Sequence, residues 1–137
     1  MKTMQNILEA SPRYFEQYNG YADVTNGWKL SIQGKTIADA MFLHNRLVPL
    51  LKASQASYKI GTLKLINGNH PQQKHKLMTI YIPNGVDAKS FAELVYLNIN
   101  DYKGGQDIKC PTSYEHYAGA IYFRNDRAED GQYIPAN

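Results

Sequence analysis

The chain has 137 residues, 43% of them hydrophobic and 20% charged, and a net charge of +3. That is enough for one globular domain with its own core, and too mildly basic to point to nucleic acid, since no Lys/Arg run is interleaved with aromatics. A single cysteine, Cys110, excludes an internal disulfide, and no stretch approaches the ~20 apolar residues of a membrane span.

The opening, Met1 to Glu16, has no apolar run long enough for a signal peptide. It predicts a cytoplasmic protein, or one exported by dedicated machinery. Residues 1–26 read as an N-terminal arm with a short helix, followed by a tyrosine-rich lead-in from Tyr14 to Tyr21. Asn26-Gly27 is a turn signal before the first convincing strand, 28–33, in which Trp28, Leu30 and Ile32 alternate with Lys29, Ser31 and Gln33. Gly34 ends it. Thr36 caps a helix predicted to reach Ser54, with Ile37, Ala40, Met41, Leu47, Val48 and Leu51 on one face and a kink or break expected near Pro49.

Ser57 to Ile60 is a second short strand, with Ser57 and Lys59 on one face and Tyr58 and Ile60 on the other. A turn of helix follows, then a loop around Asn67-Gly68-Asn69 and Pro71, expected to be mobile. Lys76 to Ile82 is rich in β-branched and aromatic residues and is the strongest strand. Asp87 starts a second helix running to Asn98, with Phe91, Leu94, Val95 and Leu97 as its expected apolar side. Asp101 to Thr112 is polar and glycine-containing. Tyr114 to Phe123 reads as a last strand, and residues 125–137 as a flexible tail. Strands alternating with two long helices predict a single α+β domain, a small and mainly antiparallel sheet packed on two helices. The 11 tyrosines fit half-buried sheet and interface positions, with ligand stacking as the alternative.

Several motifs occur in a fixed order: Tyr14-Phe15-Glu16, Gly27 to Ile32, Leu47-Val48-Pro49-Leu50-Leu51, Tyr58-Lys59, Ile66-Asn67-Gly68, Lys76 to Pro83, and His116-Tyr117-Ala118-Gly119. Together they resemble the lyase domain at the N-terminus of class III and class IV lanthipeptide synthetases, a relative of the phosphothreonine lyases delivered by type III secretion. The likeness covers roughly residues 12–124, with the lyase-like domain itself placed at 27–124.

The resemblance implies elimination of phosphate from phosphoserine or phosphothreonine, with no metal and no cofactor. Lys59 matches the family's base, Lys29 its active-site lysine, and Lys76 the cationic position before the third strand. A free lysine titrates near 10.4, so burial or nearby cations must bring a basic lysine down. The alternative for each is an ordinary solvated lysine. Lys74, His75, His116 and Tyr117 join Lys29 and Lys76 as candidates for holding substrate phosphate.

Two departures stand out. Ser31 occupies the position of the family's acid histidine, and a serine is no comparable proton donor near neutral pH. Ala118 falls where the family carries an arginine; Arg124 or Arg127, from the tail, could replace it. His44 is mid-helix and expected to be structural, and Cys110 a spare thiol. The family domain is followed by a kinase and a cyclase, so the resemblance implies here a free-standing module or one working in trans.

These departures favour a lyase-like domain with weakened or lost catalysis that binds a protein or phosphorylated peptide. An active phospho-Ser/Thr lyase and a structural assembly subunit are the alternatives. Fold alone does not choose among them.

Overall fold

The computed structural model describes residues 3–18, 27–70, 73–110 and 113–126. The elements in chain order are α1 (Met4–Ala10), β1 (Phe15–Tyr18), β2 (Trp28–Gln33), α2 (Ile37–Ala53), β3 (Ser57–Gly61), α3 (Leu63–Asn67), β4 (Lys76–Tyr81), α4 (Ala88–Asn98), β5 (Glu115–Ala118) and β6 (Ile121–Asn125). The six strands form one sheet in the order β1-β3-β4-β2-β6-β5. Every neighbouring pair is antiparallel, which gives the α+β architecture expected from the sequence.

Alternation along the strands divides the sheet into two chemically different faces. Leu30, Ile32, Tyr58, Ile60, Met78, Ile80, Ile121 and Phe123 are buried in the core. Helix α2 packs on β3 and β4, and α4 on β2 and β6, so this apolar face is the helix-covered one. The opposite face carries Lys29, Ser31, Gln33, Lys59, Thr79, Tyr122 and Arg124.

Helix α2 begins with a capping box: the Thr36 hydroxyl accepts from the Asp39 N–H, and the Asp39 carboxylate accepts from the Thr36 N–H. It buries Ala40, Leu43, Leu47 and Leu51. Pro49 does not interrupt it. The helix runs unbroken from Ile37 to Ala53, contrary to the break that a proline suggests, because packing on the sheet holds the flanking turns.

The other differences from the sequence expectations have local causes. The tyrosine-rich lead-in contains strand β1, which pairs with β3 from Phe15 opposite Gly61 to Tyr18 opposite Tyr58. Four residues carry too little alternation to be read as a strand, and the pairing partner supplies it. The single C-terminal strand is a hairpin, β5 and β6, reversing at Gly119, whose φ of +54° favours glycine. Asn125 ends β6 and Asp126 follows it within the described structure, so the fold extends past residue 124; the rest of the expected tail, from residue 127, lies outside the described residues.

Helix α4 presents Phe91, Ala92 and Val95 to the core. Leu94 and Leu97 are 49% and 56% exposed, so the expected apolar side was rotated by including them. Among the described residues, no helix is long and apolar enough to cross a membrane.

Candidate active site

One cross-strand row of paired residues runs over the helix-free face. It reads Gln17, Lys59, Thr79, Ser31, Tyr122 and His116, one residue from each strand. In the adjacent row Lys29 lies opposite Tyr81 on one side and Arg124 on the other. Lys76 reaches the same face through a register shift at Ile32/Gln33, which places it opposite Gln33 while Leu77 turns into the core. A bulge of this kind re-aims a side chain without breaking the sheet. Four strands thus direct four cations, Lys29, Lys59, Lys76 and Arg124, around the Ser31–Thr79 pair.

The segment after α4 closes over this face. The Tyr102 hydroxyl donates to the Gln33 carbonyl at 2.7 Å. Gly105 lies so close to Gln33 that a Cβ there would sit 2.0 Å from the Gln33 carbonyl oxygen. Further on, the Tyr122 hydroxyl donates to the Ile108 carbonyl at 3.4 Å, and the Cys110 thiol is hydrogen-bonded to Ser31. Tyr114 completes the cover. Its ring centroid stands 4.6 Å from Lys76 Nζ, 5.7 Å from Lys29 Nζ and 5.9 Å from the Arg124 guanidinium carbon. Aromatic faces attract cations, so one ring gathers three. Under this cover Ser31, Gln33, Lys76, Thr79 and Arg124 are all buried.

Charge in the cluster is unbalanced. The Asp126 carboxylate bridges Lys29 Nζ at 3.1 Å and Arg124 Nη1 at 3.0 Å. Among the described residues, no carboxylate forms an ion pair with Lys59 or Lys76. Lys59 Nζ instead lies 4.4 Å over the Phe15 ring. Burial and then the Lys29 charge hold the Lys59 ammonium below its ordinary range, with Asp126 opposing them. Burial is also the main cause for Lys76, pushed down to about 8, with Lys29, Lys59 and Arg124 adding to it and Cys110 opposing. Like charges driven together in a water-poor site disfavour each other's charged form. A dianionic group placed among them would relieve the conflict, and its oxygens would meet donors from four strands. The cluster therefore has the charge, burial and donors of an oxyanion site.

The structure assembles only part of the candidate set. Lys29, Lys59, Lys76 and Ser31 converge. The reading of Lys76 as an ordinary solvated lysine is corrected by its burial at 2% exposure. His116 shares the row with Ser31 but stands two strands away, roughly 10 Å by strand spacing. It is exposed, its ring tilted at 42° against Tyr122 with centroids 4.8 Å apart, and its Nε2 lies 2.8 Å from the Gly119 carbonyl oxygen.

Tyr117 is on the wrong face for the cluster: its hydroxyl donates to Glu93 of α4 and its ring packs edge-on to Phe123. Among the described residues, no hydrogen bond or ion pair joins Lys74 or His75 to the cluster, and His75 acts instead on the Asp107 carboxylate. Ala118 lines a small cavity with Tyr96, Tyr102 and Gln106, away from the cations. His44 is half-buried between Tyr18 and Tyr58, with burial holding its imidazole below the usual range. Arg127 lies outside the described residues.

Asp126 and Tyr114 were missed by sequence reasoning, Arg124 was expected from a tail and stands in β6, and Cys110, read as a spare thiol, lies beside Ser31. For Arg124 a signal existed: Ile121 and Phe123 alternate with Tyr122 and Arg124, the pattern of a strand rather than a tail. Burial pushes the Cys110 thiol up to about 11, so it is a poor nucleophile at neutral pH.

The fold matches known enzymes. The type III effector and phosphothreonine lyase OspF from Shigella flexneri superposes with a TM-score of 0.59 at 16% identity, over 92% of this chain and 77% of OspF. The phosphothreonine lyase SpvC, an effector protein from Salmonella, gives 0.58 at 15% identity, over 83% of this chain and 64% of SpvC. At these identities the likeness is one of fold, and this chain spans less than two thirds of SpvC. No family model matches the chain, and no curated protein does. The class defined is an α+β domain with the phosphothreonine-lyase fold.

Proposed function

We propose that this protein binds a phosphorylated serine or threonine of a protein partner and eliminates its phosphate, more slowly than a site with an imidazole at position 31. The single observation carrying this is the buried surplus of cations around the Ser31–Thr79 pair on a phosphothreonine-lyase fold. Lys29, Lys76 and Arg124 hold the phosphate. Lys59, freed of its proton more readily than an ordinary lysine, removes the Cα proton. The Cβ–O bond breaks, and a dehydro residue and phosphate result. The motif order supports the finer kinship with the lyase domain of lanthipeptide synthetases, and Arg124 supplies the guanidinium that Ala118 lacks.

The loss of an imidazole donor costs such a reaction roughly a hundredfold or more. Ser31 therefore favours a second reading, a binding domain that captures the phosphopeptide without turning it over. The test is a phosphothreonine peptide incubated with the protein and followed by mass. Elimination removes phosphoric acid and leaves an alkene, and Lys59→Met should reduce it at least about a hundredfold while binding persists. Tight binding with unchanged peptide mass at high protein concentration selects the second reading. Neither binding nor mass change rejects both.

A further inference from the structure

Elimination needs a proton for the departing oxygen, and Ser31 is not placed to give one. It is fully buried, and its hydroxyl is engaged with Gln33 Oε1 at 3.2 Å and with the Cys110 thiol. We infer that Lys76 protonates the departing phosphate oxygen, in place of the donor missing from position 31. This rests on the elimination reading above.

The geometry partitions the four cations by what they can do. An arginine is no proton donor in the working pH range, which leaves Arg124 the role of holding phosphate. Lys29 is already engaged in an ion pair with Asp126 at 3.1 Å. Lys59 must arrive at the reaction neutral, to act as base. Lys76 remains. The bulge at Gln33 turns it onto the reacting face, and it is buried. Among the described residues its ammonium donates to the Tyr114 hydroxyl at 3.4 Å, a long contact that a substrate oxygen can replace. The charged and titratable groups facing it are Lys29 from β2, Lys59 from β3, Arg124 from β6, and Cys110 and Tyr114 from the covering segment. With Lys76 held near 8, it is protonated at neutral pH yet yields its proton far more readily than an ordinary lysine. The thiol of Cys110, pushed up to about 11, is the weaker donor.

The step balances without a further reactant. Neutral Lys59 takes the Cα proton, and the C–H electron pair becomes the new Cα=Cβ bond. The Cβ–O pair leaves with the phosphate, and Lys76 gives its proton to that oxygen. Lys59 ends charged and Lys76 neutral, and exchange with solvent resets both.

The test is the pH profile of elimination from a phosphothreonine peptide by the full chain and by Lys76→Arg, Lys76→Met and Cys110→Ser, with peptide affinity measured alongside. The wild type should show a falling limb beginning near pH 8. Lys76→Arg keeps the charge but not the exchangeable proton. It should lose at least about a hundredfold in kcat with KM changed only a few-fold, and lose the falling limb. Lys76→Met should lose both turnover and affinity.

Retained kcat and an unchanged limb in Lys76→Arg overturn the assignment. So does a limb that disappears in Cys110→Ser instead. If the Lys76 variants do not fold, the wild-type profile decides, and a rate still climbing through pH 9 overturns it. Turnover that needs Lys59 but not Lys76 sinks this inference alone. No turnover by the wild type sinks it together with the elimination reading.

Discussion

Asp126 sets the balance of the cluster. Its carboxylate is shared between Lys29 and Arg124, and it also favours the charged form of Lys59. Asp126→Asn removes that support, so Lys59 should lose its proton at lower pH and the rising limb of the rate profile should move acidward, read from kcat/KM against pH. An alkaline shift would contradict this placement of Asp126. Lys29 and Lys59 were legible in the sequence because each sits in a strand whose alternation declares its polar face. Lys76 was harder. Simple alternation puts Leu77, not Lys76, in step with Thr79 and Tyr81, and only the bulge reverses this. Tyr114, Cys110 and Asp126 carry no periodic signal, since segments outside helices and strands reach the site through tertiary contacts.

Among the elements, the covering segment is the one that turns a polar sheet face into a water-poor site. It closes because Gly105 has no side chain where it meets the Gln33 carbonyl, and Gly104 none where it meets the Asp39 carboxylate. Gly105→Ala has backbone, not a pliable side chain, in its way, and should destabilise the fold by about 1–3 kcal/mol in urea titration. It should also weaken phosphopeptide binding, because lifting the segment lets water screen the cations. A Gly105→Ala protein with wild-type stability and affinity would show that the segment is not needed for the site. The Gly104-Gly105 pair was visible as a loop signal, but its partners were not. Helix α4 makes a similar point. Its existence followed from the Asp87 cap and the spacing of apolar residues, whereas its rotation depends on the small Ala92, which fits against the sheet where Leu94 does not.

For the whole molecule, a buried cation cluster trades stability for function. Below pH 8 Lys76 is charged in both the folded and the unfolded chain, and the folded state bears the full cost of burying that charge. Above about 8 the folded protein begins to lose the proton while the unfolded lysine keeps it to about 10.5. The unfolded chain then binds more protons, so stability rises with pH. From about 9 the Cys110 thiol opposes this, because burial holds its proton to about 11 while the unfolded thiol gives it up. Urea midpoints should therefore climb between pH about 8 and about 9, and Lys76→Met should flatten the climb to the part that Lys59 contributes. At neutral pH that variant should be more stable by on the order of 1–3 kcal/mol, since an apolar chain replaces a like charge in the cluster. The α+β class was readable, because short strands alternating with two long helices leave few ways to bury one core, although β1 and the division of the last strand into β5 and β6 were not. The central claim is that this buried cluster acts on phosphate esters of protein hydroxyls, and peptide mass tests it most directly. A phosphothreonine peptide incubated with the wild-type chain should lose phosphoric acid and gain an alkene that a thiol can add to. A peptide that keeps its phosphate, or that is merely hydrolysed back to threonine, would contradict the account.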